Sequence, residues 1–293
     1  MTNINVILSA IRPKTLVASF CPILLGTVLA TVSGRPHWLT ALCCLITGLL
    51  IQIGTNLAND YYDFLHGADT PHRKGPQRLT SAGIIAPHTM KKAFIIVFIA
   101  AFFFGLTLVY RGGLEFLILG IICILVGILY TGGPYPLGYH GLGDICVFIF
   151  FGPVAVGATY YLQTFELNMQ VLLLGCCLGL LSTALIAVNN IRDHNEDQKN
   201  RKKTLAVLLG IRFVQYEYLF CVVLPSIIPL IYLYLPPYQI GLVIIIWNLV
   251  LAKPVYKDIF IKKETELNAV LGKTAKLIAS YTILVCIGLT FTI

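Results

Sequence analysis

Along this chain, long apolar runs are separated by short polar ones. Apolar runs near 15–32, 38–58, 91–110, 113–130, 143–162, 169–191, 213–235, 238–253 and 275–293 approach the ~20 residues that an α-helix needs to cross a bilayer. The pattern predicts an all-α, multi-pass membrane bundle of nine spans around a central cavity, built as one domain over residues 1–293. Three of the runs are less regular. The eighth is short, Pro225 and Pro229 interrupt the seventh, and only a Tyr110-Arg111-Gly112-Gly113 turn separates the third from the fourth. Gly and Pro are tolerated in membrane helices, so the count stands at nine. The opening residues have no basic stretch leading into a short apolar core with a cleavage site. The first span is therefore expected to direct insertion itself.

Composition supports the membrane reading. The chain is 57% hydrophobic and 12% charged, with a mean hydropathy of +0.84, whereas soluble domains are about a quarter charged. Its net charge is +8, from 21 Lys and Arg against 13 Asp and Glu. Nine spans would put residues 1–14, 59–90, 131–142, 192–212 and 253–274 on one side, leaving only Arg35 and Arg111 among the basic residues on the other. The positive-inside rule makes the basic side cytoplasmic, with the N-terminus inside and the C-terminus outside. Basic residues confined to loops between spans argue for contact with anionic lipid and against nucleic-acid binding. All nine cysteines lie in apolar runs without metal-ligand spacing and read as small hydrophobes.

The candidate chemistry sits where two spans end. NLANDYYDFLHGAD (56–69) closes the second span and NNIRDHNED (189–197) closes the sixth. A carboxylate near lipid is costly unless it is paired, and is by default a functional residue. If helix continues through both motifs, Asn56, Asp60 and Asp63 fall at i, i+4, i+7, and Asn189, Asp193 and Asp197 at i, i+4, i+8. Each set then forms one stripe of oxygen donors. Asp69 follows Gly67 and is expected beyond the helix. Oxygen-only ligand sets suit Mg²⁺, which keeps waters and shares ligands with phosphate. Basic residues follow each motif, including Arg73 and Arg78 after the first and Lys202 after the second, and are suited to clamping phosphate oxygens. Paired carboxylates, cations and an apolar interior together describe a site for a diphosphate with a hydrocarbon tail.

At these residues the chain resembles the UbiA superfamily of intramembrane prenyltransferases, most closely the branch that uses 1,4-dihydroxy-2-naphthoate. RPKT (12–15), both aspartate motifs, RKGPQRLTSAG (73–83), YTGGPYPLGYHGLGD (130–144), VFIFFGPVAVGATYYLQ (147–163) and LNAVLGKTAKL (267–277) carry the likeness in order along the chain. A Tyr-x-x-x-Lys motif found in other branches is missing after Tyr130, Arg201 stands where glycine is frequent, and Asp144 where Glu is common. The resemblance implies transfer of a polyprenyl group from polyprenyl diphosphate to an aromatic acid acceptor, with two Mg²⁺ ions, at the bacterial inner membrane with the site loops cytoplasmic. Asp60, Asp63, Asp193 and Asp197 would be catalytic and, with Asp69, would hold the metal. Asn56, Asn59, Arg73, Arg78, Tyr130, Asn189, Asn190 and Lys202 would bind substrate. Tyr61, Tyr62, Tyr130 and Tyr160 are candidate faces for an allylic cation. The rival readings are another aromatic acceptor (hydroxybenzoate, homogentisate or a porphyrin-like ring) and a membrane transporter built on a two-part repeat.

Overall fold

The computed structural model describes residues 3–68, 74–237 and 239–291. Asp69 and Arg73 lie outside the described residues. Among those described, the chain is helical with no strand. Eight helical stretches are long and apolar enough to cross a membrane, and a ninth, Leu114–Leu129, is apolar but shorter. The nine match the predicted runs in order. A short helix α1 (Asn3–Ile11) precedes them. The first span is α2 (Pro13–Val32), followed by α3 (Trp38–Leu65), α4 (Pro87–Gly112) and α5 (Leu114–Leu129). Side chains and prolines set their starts. Pro13 and Pro87 occupy first-turn positions, where a missing N–H costs nothing. His37 accepts the Thr40 amide at the start of α3.

The fifth span is broken. Helix α6 (Gly143–Ile149) runs through a π turn at Phe150–Val154 into α7 (Ala155–Thr164). Pro153 lacks the N–H that would continue the ladder, and Gly152 bends to φ −114°, ψ −110°. The bend lets α6 and α7 pack closely on α8 (Met169–Lys199). A Cβ on Gly152 would stand 2.7 Å from Gly179 Cα and 2.8 Å from the Gly175 carbonyl oxygen. Small residues at such crossings let membrane helices approach without a hydrophobic drive. Asn168 caps α8, its side-chain oxygen accepting the Val171 amide at 3.0 Å.

After the short α9 (Leu205–Leu209), the seventh span starts as α10 (Ile211–Val223) and ends in 3₁₀ turns at Pro225 and Pro229. The eighth combines a 3₁₀ stretch, Ile240–Ile246, with α11 (Trp247–Ile261). At ~2.0 Å per residue for the first and ~1.5 Å for the second, the pair reaches roughly 36 Å, enough for a ~30 Å hydrocarbon core. This is how an apolar run that looked short can span. The last helix, α12 (Leu267–Thr290), begins eight residues before the apolar run that marked it. Its first two turns carry Lys273, which pairs with Asp258 at 2.7 Å, so they extend the helix beyond the apolar zone.

Helix α8 is the most enclosed of the spans. Its apolar face packs Leu178, Leu181 and Leu185 with Leu25 of α2, Tyr218 of α10 and Ile278 of α12 in the main core. The outer faces of α4 and α5 expose Ile96, Ile99, Phe103 and Ile118, which suits hydrocarbon contact and no aqueous surface. Arg35 and Glu166 pair between the α2–α3 and α7–α8 connections, while Arg111 donates to the Leu162 carbonyl at 2.5 Å. Both cations thus lie at the end opposite the aspartate motifs.

Candidate active site

Both motifs are continuous helix. Helix α3 runs through Leu65 and α8 through Lys199, so the i, i+4 stripes form as the spacing predicts. They face one cavity of about 620 Å³, whose wall includes Asn56, Asn59, Asp63, Arg78, Tyr130, Asn189, Asn190, Asp193, Asp197 and Lys202. Of the predicted site residues that are described, only Asp60 is missing from this wall.

Asp60 is committed elsewhere. It is 4% exposed, and its two oxygens accept the Leu79 and Thr80 amides at 3.0 Å each. The carboxylate therefore pins the basic connection between α3 and α4 against the bundle. Asp63, one turn on, takes Arg78 Nη2 at 2.6 Å and the Tyr139 hydroxyl at 2.9 Å. Asn59 accepts Thr131 Oγ1 at 2.8 Å. Asn56 donates to the Ile11 carbonyl at 2.9 Å and Thr15 Oγ1 at 3.0 Å, tying the α1–α2 junction to α3.

The second motif is held differently. Arg192 grips Asp193 with Nε and Nη2, each at 2.7 Å, and reaches Asn268 Oδ1 at 2.9 Å with Nη1. Asn268 in turn donates to the Lys74 carbonyl at 3.0 Å. A Cβ on Gly75 would lie 2.7 Å from Arg192 Nη2, so glycine lets the first basic loop settle on that guanidinium. Asp197 lies 3.9 Å from Lys202 Nζ. That ammonium stands 5.2 Å over the Tyr139 ring, and the Lys203 amide donates to the Tyr139 carbonyl. Tyr139 thus joins Asp63 of one motif to the loop that follows the other.

Of the four tyrosines considered for an allylic cation, only Tyr130 lines the cavity. Tyr61 and Tyr62 pack on Phe94, and the Tyr160 hydroxyl meets Ser33 at 3.1 Å. Sequence reasoning passed over Arg192, Tyr139, Thr131 and Asp144 as site residues. Arg192 carried a signal: an arginine one residue before Asp193, at the end of an apolar helix, has little place to go but onto a carboxylate. Tyr139 carried none, because its contact with Asp63 depends on how the 131–142 connection folds.

Among the described residues, no three His, Cys, Asp or Glu side chains form a ready-made metal cage. What the cavity offers is separate carboxylates on facing helices, with amide oxygens and cations between them. That donor set fits a magnesium diphosphate, because Mg²⁺ is usually held by one or two carboxylates plus water and phosphate oxygens. Away from the motifs the wall becomes apolar, with Leu108, Phe116, Leu119, Phe151 and Leu162.

The UbiA prenyltransferase family model matches residues 19–271. The 1,4-dihydroxy-2-naphthoate octaprenyltransferase of Escherichia coli (strain K12) is 44% identical over 209 residues, covering 69% of this chain and 68% of that protein. The enzyme of the same name from Haemophilus influenzae is 40% identical over 207 residues, covering 68% and 67%. A UbiA homolog from Archaeoglobus fulgidus, solved bound to DMAPP and Mg²⁺, superposes with a TM-score of 0.70 at 14% identity, covering 97% of this chain and 99% of that one. This chain belongs to the UbiA prenyltransferase family, and is a helical integral-membrane prenyltransferase.

Proposed function

We propose that the protein transfers a polyprenyl group from polyprenyl diphosphate to 1,4-dihydroxy-2-naphthoate, with loss of the ring carboxyl, as a step of menaquinone synthesis. The observation that carries this reading is a single cavity of two characters. Carboxylates and cations from two helix ends gather at one end, and an apolar wall continues from them into the bundle. The names of the 44%- and 40%-identical relatives support naphthoate as the acceptor. A transporter site would be expected near the midplane on broken helices, whereas these aspartates close two unbroken ones.

Asp63, Asp193 and Asp197 would hold two magnesium ions between the diphosphate and the helices, with Asp69 as a further ligand and Asn59 and Asn189 as neighbouring oxygen donors. Bound magnesium supplies positive charge to the departing diphosphate. Arg78, Lys202 and Arg73 hold phosphate oxygens, Arg78 being aimed by Asp63 and Lys202 by the Tyr139 ring. Asn190 and Asn56 brace the cavity wall, and Asp60 keeps Arg78 in place by anchoring the loop that carries it. The Tyr130 side chain borders the position where the allylic carbon develops charge. The apolar wall excludes water, which would otherwise quench that carbon. Fixed charges that favour the leaving group in the transition state are worth a factor of ten per 1.36 kcal/mol.

Orientation follows the basic loops: residues 74–86 and 199–212 face the cytoplasm, with the protein in the bacterial inner membrane. Purified protein, supplied with Mg²⁺, labelled prenyl diphosphates and a panel of aromatic acids, should prenylate the naphthoate with release of CO₂. A product from hydroxybenzoate or homogentisate in its place would overturn the acceptor. Reporter fusions that put the two basic loops on opposite faces would overturn the topology.

A further inference from the structure

A second polar cluster lines the same cavity, deeper than the aspartates, and diphosphate binding does not use it. Asp144 stands in the first turn of α6, is 5% exposed and faces the cavity. Asn190 Nδ2 donates to both of its oxygens at 3.4 Å. Among the described residues Asp144 has no Lys or Arg ion-pair partner, unlike Asp63, Asp193 and Asp197. Ser182, on the same wall, is 2% exposed, and its hydroxyl has no hydrogen-bond partner among the described residues. The Tyr130 hydroxyl also adjoins this turn, since a Cβ on Gly143 would lie 2.8 Å from it.

The placement has a scale. Ser182, Asn189, Asn190 and Asp193 fall at i, i+7, i+8 and i+11 on α8, one face of the helix. At 1.5 Å per residue, Asn190 and the Asp144 it holds stand ~4.5 Å deeper than Asp193, and Ser182 ~16 Å deeper. In an allylic diphosphate the reacting carbon is one oxygen away from phosphorus. With phosphate at Asp193, that carbon lies near the depth of Asp144.

A first-turn acid also stabilises a helix N-terminus, and that role alone would explain its position. It would not explain why the carboxylate turns into the cavity with no Lys or Arg partner among the described residues, on the same wall as a buried hydroxyl that has no hydrogen-bond partner among them. Such groups are costly inside a membrane unless a ligand completes them.

We infer that Asp144, Asn190, Ser182 and Tyr130 form the binding site for the acceptor ring, and that Asp144 takes the proton of the ring hydroxyl next to the carbon attacked. This rests on the prenyl transfer proposed above. As the O–H electrons move into the ring, the ring carbon bonds to the allylic carbon and the allylic C–O bond breaks, its electron pair leaving with diphosphate. The ring is then a ketone beside a carbon bearing both carboxylate and prenyl group. The bond to the carboxylate breaks, CO₂ departs, and the electron pair restores the aromatic ring. The oxygen takes its proton back from Asp144, which ends as it began. Asn190 positions the carboxylate, and Ser182 offers a hydrogen bond to the far side of the acceptor.

Full-length protein in detergent tests this with 1,4-dihydroxy-2-naphthoate and a prenyl diphosphate. Asn in place of Asp144 keeps the side-chain shape but removes the base. Asp144→Asn should lower kcat by about a hundredfold or more, leave the KM for prenyl diphosphate within about twofold, and be partly rescued in Asp144→Glu. Ser182→Ala should raise the KM for naphthoate about fivefold, the scale of one hydrogen bond, without moving that for prenyl diphosphate. An Asp144→Asn enzyme within about threefold of wild-type kcat would overturn the assignment. So would a prenyl diphosphate KM that rises in step, which marks a structural role. If Asp144→Asn does not fold, Asp144→Glu and Ser182→Ala decide by the same split between the two substrates. Wild-type activity on a different aromatic acid, with none on naphthoate, would sink only the acceptor identity. Asp144→Asn assayed with that acid would still decide the base.

Discussion

The two aspartate motifs look alike in sequence, and the fold treats them differently. At the end of α3 the carboxylates are enclosed: Asp60 is buried and the Asp63 side chain is 2% exposed, and their contacts run into the 78–80 loop and to Tyr139. At the end of α8 the Asp193 and Asp197 side chains are 13% and 11% exposed, with the adjacent Arg192 and, at 3.9 Å, Lys202 among their contacts. The first motif therefore organises the basic loop over the cavity. The second presents carboxylates to whatever enters it. A repeated motif need not mean repeated work, because what surrounds a carboxylate decides whether it braces the chain or meets a ligand.

The largest expected effect breaks the enclosed motif at its centre. Asp63→Ala leaves Arg78 buried without its carboxylate, a loss on the order of 3–5 kcal/mol. It should cost at least about a thousandfold in turnover together with a clear drop in thermal stability, as read by prenyl-transfer assay and by melting in detergent. Next, Asp197→Ala should cost about a hundredfold or more in turnover at saturating Mg²⁺. Its melting temperature should fall less than that of Asp63→Ala, since the Asp197 side chain is 11% exposed against 2% for Asp63. Equal stability losses at positions 63 and 197 would erase the distinction between the motifs.

Asp60 sharpens the comparison. Asp60→Ala loses two hydrogen bonds to a carboxylate, each worth roughly 1.5–3 kcal/mol, so stability should fall about as far as in Asp63→Ala. Turnover per folded molecule should fall only about tenfold. A complete loss of turnover in folded Asp60→Ala protein, with stability unchanged, would make Asp60 a metal ligand and its loop contacts incidental. The smallest effects concern cations. Lys202→Ala should raise the KM for prenyl diphosphate about tenfold and lower kcat. The double change Lys262→Ala, Lys263→Ala should stay within about twofold of wild type, because neither residue lines the cavity.

Much of this was legible in the chain itself. Nine apolar runs and a one-sided distribution of Lys and Arg specify a bundle of spans, because a bilayer leaves a buried backbone few choices other than helix. The spacing of Asn56, Asp60 and Asp63, and of Asn189, Asp193 and Asp197, specifies donor stripes once helix is granted, since helical periodicity follows from local geometry. Which member of a stripe meets the cavity was not legible. Asp60 turned out to serve the Leu79 and Thr80 amides, a contact across 19 and 20 residues that depends on how a loop folds back. Tyr139 and Asp144 acquire their places only when α6 and the 131–142 connection close against α3 and α8. That closure depends on the Pro153 break and on the Gly152–Gly179 approach, where two helices come within the space of one missing Cβ. Local periodicity is written residue by residue, and so the sequence alone determined the spans and the stripes. The pairing of one side chain with another is settled by packing between distant segments, and so only the tertiary structure decided which carboxylates brace a loop and which line the cavity.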